Sequence, residues 1–150
     1  METREEHQQE AQQELQRAHL LMSYGHFEKA LDACDRAESL LGDDPLPGAI
    51  KGSVLLAAGK VKPAMVALNR HYNRHKESFL TGLYLAEACF LSRRSRRGWK
   101  ILGELEERGL RESSYAQLGE ELRAAWEQLE ELDQLAPLLE VPFDESGGRP

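Results

Sequence analysis

The stretch Tyr24-Gly25-His26-Phe27-Glu28-Lys29-Ala30 decides the fold, because its small residues return 34 residues later in Ala58-Gly59-Lys60-Val61-Lys62-Pro63-Ala64. A further 34 residues on stands Ser92-Arg93-Arg94-Ser95-Arg96-Arg97-Gly98, with Gly98 in the place of Ala30 and Ala64 and Arg93 in that of the turn glycine. Self-similarity at this period, with small residues at the recurring points, marks helix pairs stacked into a solenoid.

Working outward from these turns, the chain divides into three units, residues 11–44, 45–78 and 79–112, each reading as two helices. In the first, Ala18, Leu21 and Met22 close one helix, and Phe27, Ala30, Leu31, Cys34, Ala37 and Leu40 form an apolar stripe at three-to-four spacing. Gly42-Asp43-Asp44-Pro45 then stops the chain. The second unit repeats the plan with Gly52, Leu55 and Leu56 before the turn, then Val61, Ala64, Met65 and Leu68. Pro63 falls in the first turn of that second helix, where its missing N–H does no harm. The third unit gives Leu85, Ala86, Cys89 and Phe90, then Gly98, Trp99, Leu102 and Leu105.

The small residues have a mechanical reason. Antiparallel helices joined by a short turn approach closely only where neither carries a bulky side chain, and Ala18/Ala30, Gly52/Ala64 and Ala86/Gly98 are the paired positions. The pattern resembles the tetratricopeptide repeat, which has Gly or Ala at position 8, Gly at 15, an aromatic at 17 and Ala at 20 and 27. The first unit matches throughout with Ala18, Gly25, Phe27, Ala30 and Ala37. The second keeps Gly52, Gly59 and Ala64 but has Val61 and His71 at the last two kinds of place, and the third keeps Ala86. The family's aromatic at position 4 is replaced by Glu14, Gly48 and Gly82, and its closing proline is missing from each unit. The expected fold is all-α, a three-repeat tetratricopeptide-like solenoid with a long C-terminal capping helix.

A three-unit solenoid leaves an apolar face at each end and needs caps. Ser114-Tyr115-Ala116-Gln117 reads as a capping box opening a helix over 113–136, with Leu118, Leu122, Ala125, Trp126, Leu129, Leu132 and Leu135 on one side. Residues 1–10 are mostly Glu, Gln and Arg with nothing to bury, which predicts a flexible or frayed helical extension. Residues 137–150, apolar at Leu138, Leu139, Val141 and Phe143 and ending in Gly147-Gly148, read as a flexible tail.

Composition narrows the classes of function. With 150 residues, 41% apolar and 30% charged, the chain suits one globular domain. No secretory signal opens it and no run of 18 uncharged apolar residues occurs, so the expectation is a cytoplasmic protein without membrane insertion. Cys34 and Cys89 both sit within apolar helical patterns, as small buried hydrophobes. The net charge of −7 hides an alternation: residues 1–50 hold 4 Lys+Arg against 11 Asp+Glu, residues 51–100 hold 11 against 2, and residues 101–150 hold 4 against 13.

The resemblance implies a concave partner groove lined by the first helix of each pair. Its positions fall on Gln12, Leu15, His19 and Met22, then Leu46, Ala49, Ser53 and Leu56, then Leu80, Leu83, Glu87 and Phe90. Such a wall is mostly apolar. The Lys/Asn/Arg clamp by which some members hold the C-terminal carboxylate of heat-shock chaperones is replaced by Leu15, His19, Ile50, Leu80 and Tyr84. The groove therefore suits an extended segment offering two or three apolar side chains, each worth about 1.5–3 kcal/mol when buried. After ordering costs this supports roughly micromolar affinity. The expected function is a non-enzymatic protein-interaction adaptor or chaperone. In layout the chain is similar to the tetratricopeptide chaperones of bacterial type III secretion, down to Ala86-Glu87-Ala88-Cys89.

A second reading rests on charge. Arg93, Arg94, Arg96, Arg97 and Lys100 form a basic patch, with Lys60, Lys62, Arg70, Arg74 and Lys76 in the preceding unit. It suits an acidic partner protein or self-association as a homodimer; the overall acidity and the sparse aromatics, Tyr72 and Trp99, speak against nucleic acid. His71 and His75 lie four apart on one helix face, but no third ligand has fitting spacing, and they read as surface histidines. No phosphate loop, nucleophile elbow or paired-cysteine motif occurs, so neither catalysis, metal nor cofactor is expected.

Overall fold

The computed structural model describes residues 3–140, and the side chains of 3–135. The elements are α1 (Arg4–Ser23), α2 (Phe27–Leu41), α3 (Pro45–Ala57), α4 (Val61–Arg74), α5 (Phe79–Leu91), α6 (Ser95–Glu107), a 3-10 turn (Leu110–Glu112) and α7 (Ala116–Glu140). There is no strand among the described residues. Helices α2, α4 and α6 begin at Phe27, Val61 and Ser95, and α1, α3 and α5 end at Ser23, Ala57 and Leu91, so the period read from the turns is the period of the helices.

Each hairpin closes by the same hydrogen bonds. The N–H groups of His26, Lys60 and Arg94 donate to the carbonyls of Leu21, Leu55 and Cys89 at 2.8, 2.9 and 2.7 Å. This closure needs a left-handed residue one place earlier. Gly25 and Gly59 supply it at φ +81° and +80°, and Arg93 is held there at +64° in the third hairpin despite its Cβ. The links between hairpins repeat too. Asp44 accepts from the Leu46 N–H at 2.8 Å to cap α3, and Ser78 accepts from the Thr81 N–H at 3.2 Å to cap α5.

Ala18, Ala30, Ala64 and Ala86 are fully buried, as the close-crossing argument requires. The departures from the repeat pattern fit one another. A Cβ on Gly48 would stand 2.6 Å from the His71 ring, and one on Gly82 would stand 2.6 Å from Leu105 Cδ2. In both units the first helix gives up its side chain at position 4 and the second helix fills the space from position 27. Similarly, a Cβ on Gly98 would stand 2.8 Å from the Phe90 ring, which is why the third unit has glycine where the others have alanine.

Three boundaries differ from the sequence reading. Residues 4–10 are helical and continue α1: Thr3 accepts from the Glu6 N–H at 3.1 Å while the Glu6 carboxylate accepts from the Thr3 N–H at 2.7 Å, a capping box that fixes the start. At the other end, Ser113 rather than Ser114 supplies the hydroxyl, accepting from the Tyr115 N–H at 3.1 Å. Helix α7 starts at Ala116 and runs through Pro137 to Glu140, so residues 137–140 belong to the helix. The remainder of the expected tail, 141–150, lies outside the described residues, as does the start of the expected extension, residues 1–2.

Candidate partner groove

The residues expected to line the groove separate into three environments. Ala49, Leu15 and Leu80 are buried, the last two at 8% and 9% exposure, in the core shared by α1, α2 and α3. His19 and Leu46 are exposed, and Met22, Leu56 and Glu87 are half-buried. Leu83 and Phe90 lie deeper than an open wall would place them, because α7 crosses α5 and covers them.

The cover is held by aromatic stacking and ion pairing. The Phe90 ring sits 4.8 Å from Trp99 in an edge-on arrangement and 5.0 Å from Trp126 in a stacked one. Trp99 Nε1 donates to Glu130 at 2.8 Å, tying α6 to α7. Arg123 grips Glu106 through both carboxylate oxygens, at 2.7 and 2.9 Å from Nη2, and its guanidinium lies 5.3 Å from the Trp99 ring centre.

Beside this contact a trough of about 330 Å³ stays open between α5 and α7, walled by Leu83, Leu118, Leu122, Ala125, Trp126 and Leu129, with Tyr84, Glu87 and Glu121 as its polar members. Burial pushes the Glu87 carboxyl above the usual carboxylate range, and burial likewise raises the pKa of the Tyr84 phenol. The α7 share of the wall was absent from the sequence reading of the groove. Its signal was the leucine side of α7 itself, which presents more apolar surface than capping one repeat consumes.

On another face the structure brings the whole basic patch together. Arg93, Arg94, Arg96, Arg97 and Lys100 line a groove of about 610 Å³ between α4 and α6, with Lys76, Tyr72 and Ile101. Arg97 hydrogen-bonds Asn69, and Tyr72 donates to Glu104 at 3.1 Å while accepting from Arg108 at 2.8 Å, which stitches α4 to α6 along the groove floor.

The remaining candidates are structural. His71 and His75 are half-buried rather than on the surface: His71 packs over Gly48, where burial lowers its pKa, and His75 lies 3.4 Å from Asp43 and 3.3 Å from Glu77. No group of three or more His, Cys, Asp or Glu among the described residues could hold a metal. Cys34 and Cys89 are buried and free, and burial pushes the Cys34 thiol up to about 12, which leaves it unreactive.

No family model and no curated protein matches this chain. Among solved structures it is similar to the tetratricopeptide-repeat domain of Sgt2 from Aspergillus fumigatus, at a TM-score of 0.66 and 18% identity over 91% of this chain and 88% of that one. The fold is that of a tetratricopeptide-repeat domain. The tetratricopeptide positions named from sequence thereby acquire structural meaning: position 15 is the left-handed turn residue, and positions 8 and 20 are buried small residues against which large side chains such as Leu68 and Phe90 pack. No described helix is long and apolar enough to cross a membrane.

Proposed function

We propose that this chain is a non-enzymatic adaptor or chaperone that grips an extended apolar segment of a partner protein. The observation that carries the reading is the α5/α7 trough: six apolar side chains wall it, and it stays open although α7 has already covered Leu83 and Phe90. The proposed binding surface is the trough itself, Leu118, Leu122 and Leu129 facing Tyr84 and Glu87, and we extend it to the first-helix positions Leu56, Met22 and His19, which are half-buried or exposed. Its apolar members exclude water from a partner's side chains, while Tyr84 and Glu87 offer polar groups to the partner's backbone. Within this class, the resemblance in layout to the tetratricopeptide chaperones of type III secretion suggests a client that must be kept soluble before export.

The test is selection of twelve-residue peptides from a random display library on the full chain, followed by titration of the selected peptides. Peptides rich in apolar side chains, with affinity falling at least tenfold for Leu118→Glu, support the reading; Leu118 is 38% exposed, so the fold survives its replacement. Peptides that bind Leu118→Glu undiminished would refute it. A second reading, capture of an acidic segment, has its own support in the six cationic side chains gathered between α4 and α6. Selection of acidic peptides, lost on Arg96→Glu, would favour it.

A further inference from the structure

The α4/α6 face is not simply cationic. Next to the basic groove, and sharing Arg94 and Arg97 with it, lies a second depression of about 460 Å³ lined by the apolar Met65 and Val66, the cations Lys62, Arg94 and Arg97, and the polar Asn69 and Ser92. Val66 is 63% exposed, an aliphatic side chain facing solvent in a depression that also holds Lys62, Arg94 and Arg97. A surface of this kind fits an amphipathic helix with apolar side chains at three-to-four spacing and acidic flanks.

The chain carries such a helix. The C-terminal half of α7 exposes Leu129, Leu132 and Leu135 at 42%, 51% and 49%. At 100° per residue these span a third of the helix circumference, and the positions bordering them are Asp133 on one side and Glu131 on the other. Both acids are exposed and free of ion pairs among the described residues. Pairing α7 with α7 of a neighbour would set acidic flank against acidic flank. The matching surface, apolar centre and opposite charge, is the α4/α6 depression.

We propose that this protein self-associates, the exposed half of α7 from one copy seating its leucine stripe on Met65 and Val66 of another, with Glu131 and Asp133 facing Lys62 and Arg94. The occupant is a second copy because one chain holds both halves of the match, in charge as well as in apolar pattern. The contact shares Leu129 with the α5/α7 trough and otherwise lies beyond it, at Leu132 and Leu135, so an apolar segment in the trough and a second copy on α7 meet at that one residue.

Sedimentation velocity of the full chain between 1 and 200 µM, at 20 and 500 mM salt, reads the proposal directly. The expected result is concentration-dependent association, weakened at least tenfold by the higher salt. Lys62→Glu with Arg94→Glu should abolish it, as should Glu131→Lys with Asp133→Lys, both variants keeping the wild-type circular dichroism. Combining all four changes in one chain restores opposite charges across the contact and should restore association, which mere damage to the fold would not do. A monomer throughout the range at low salt overturns the proposal, as does an oligomer indifferent to the charge reversals or one that the four-fold variant fails to recover. Binding of the monomer to an added acidic peptide in place of a second copy would overturn it in favour of a foreign partner.

Discussion

Arg93 occupies the one strained position in the series of turns. Gly25 and Gly59 adopt φ near +80° at no steric cost, whereas the Arg93 Cβ crowds the backbone at φ +64°. Arg93→Gly should therefore stabilise the fold, by about 0.5–1 kcal/mol once the greater freedom of glycine in the unfolded chain is counted. A rise in the urea midpoint at unchanged slope would show it; an unchanged or lowered midpoint would mean that the arginine side chain gains as much from its surroundings as its backbone loses. The turn at 93 was legible because the 34-residue period outweighed the missing glycine. The Gly48–His71 and Gly82–Leu105 complementarities were not, since each couples residues 23 apart through a contact that only the packed hairpin creates.

Helix α7 is the element whose role sequence reading half captured. Its leucine side announced a cap, and the cap exists, but periodicity alone does not say which helix it covers. The structure sets it on α5, so Phe90 is shielded and Leu83 shows only an edge in the trough that α7 leaves open. Phe90→Glu should accordingly unfold the third repeat: it replaces a 3% exposed ring, wedged between Trp99 and Trp126, with a charge, at a cost of about 4 kcal/mol or more. Thermal denaturation would register a collapse of the transition. A stable Phe90→Glu variant with native circular dichroism would show that α7 leaves that face uncovered. The boundary missed at the other end had a local signal in Thr3 and Glu6, whose reciprocal hydrogen bonds start α1 before any apolar residue needs burial.

On the scale of the whole molecule, the three hairpins and α7 produce two chemically opposed surfaces. The fold was readable from the recurrence of small residues, because close helix crossing is a steric demand that leaves its trace at fixed spacing. The proposed binding surface was readable only in part: its α5 residues Leu83 and Glu87 follow from the repeat register, whereas its α7 wall depends on where a non-repeating helix comes to rest. Charge alternation along the sequence becomes charge separation in space, with cations between α4 and α6 and acids along α7.

Hydrogen exchange of the full chain, with and without an apolar peptide obtained by selection, tests the central claim that the cradle formed by α5 and α7 holds the partner. Slowed exchange in residues 79–91 and 116–129, extending into 45–57 and leaving 61–74 and 95–107 unchanged, is the expected footprint. Protection confined to 61–74 and 95–107 would place the partner on the basic face and contradict the account.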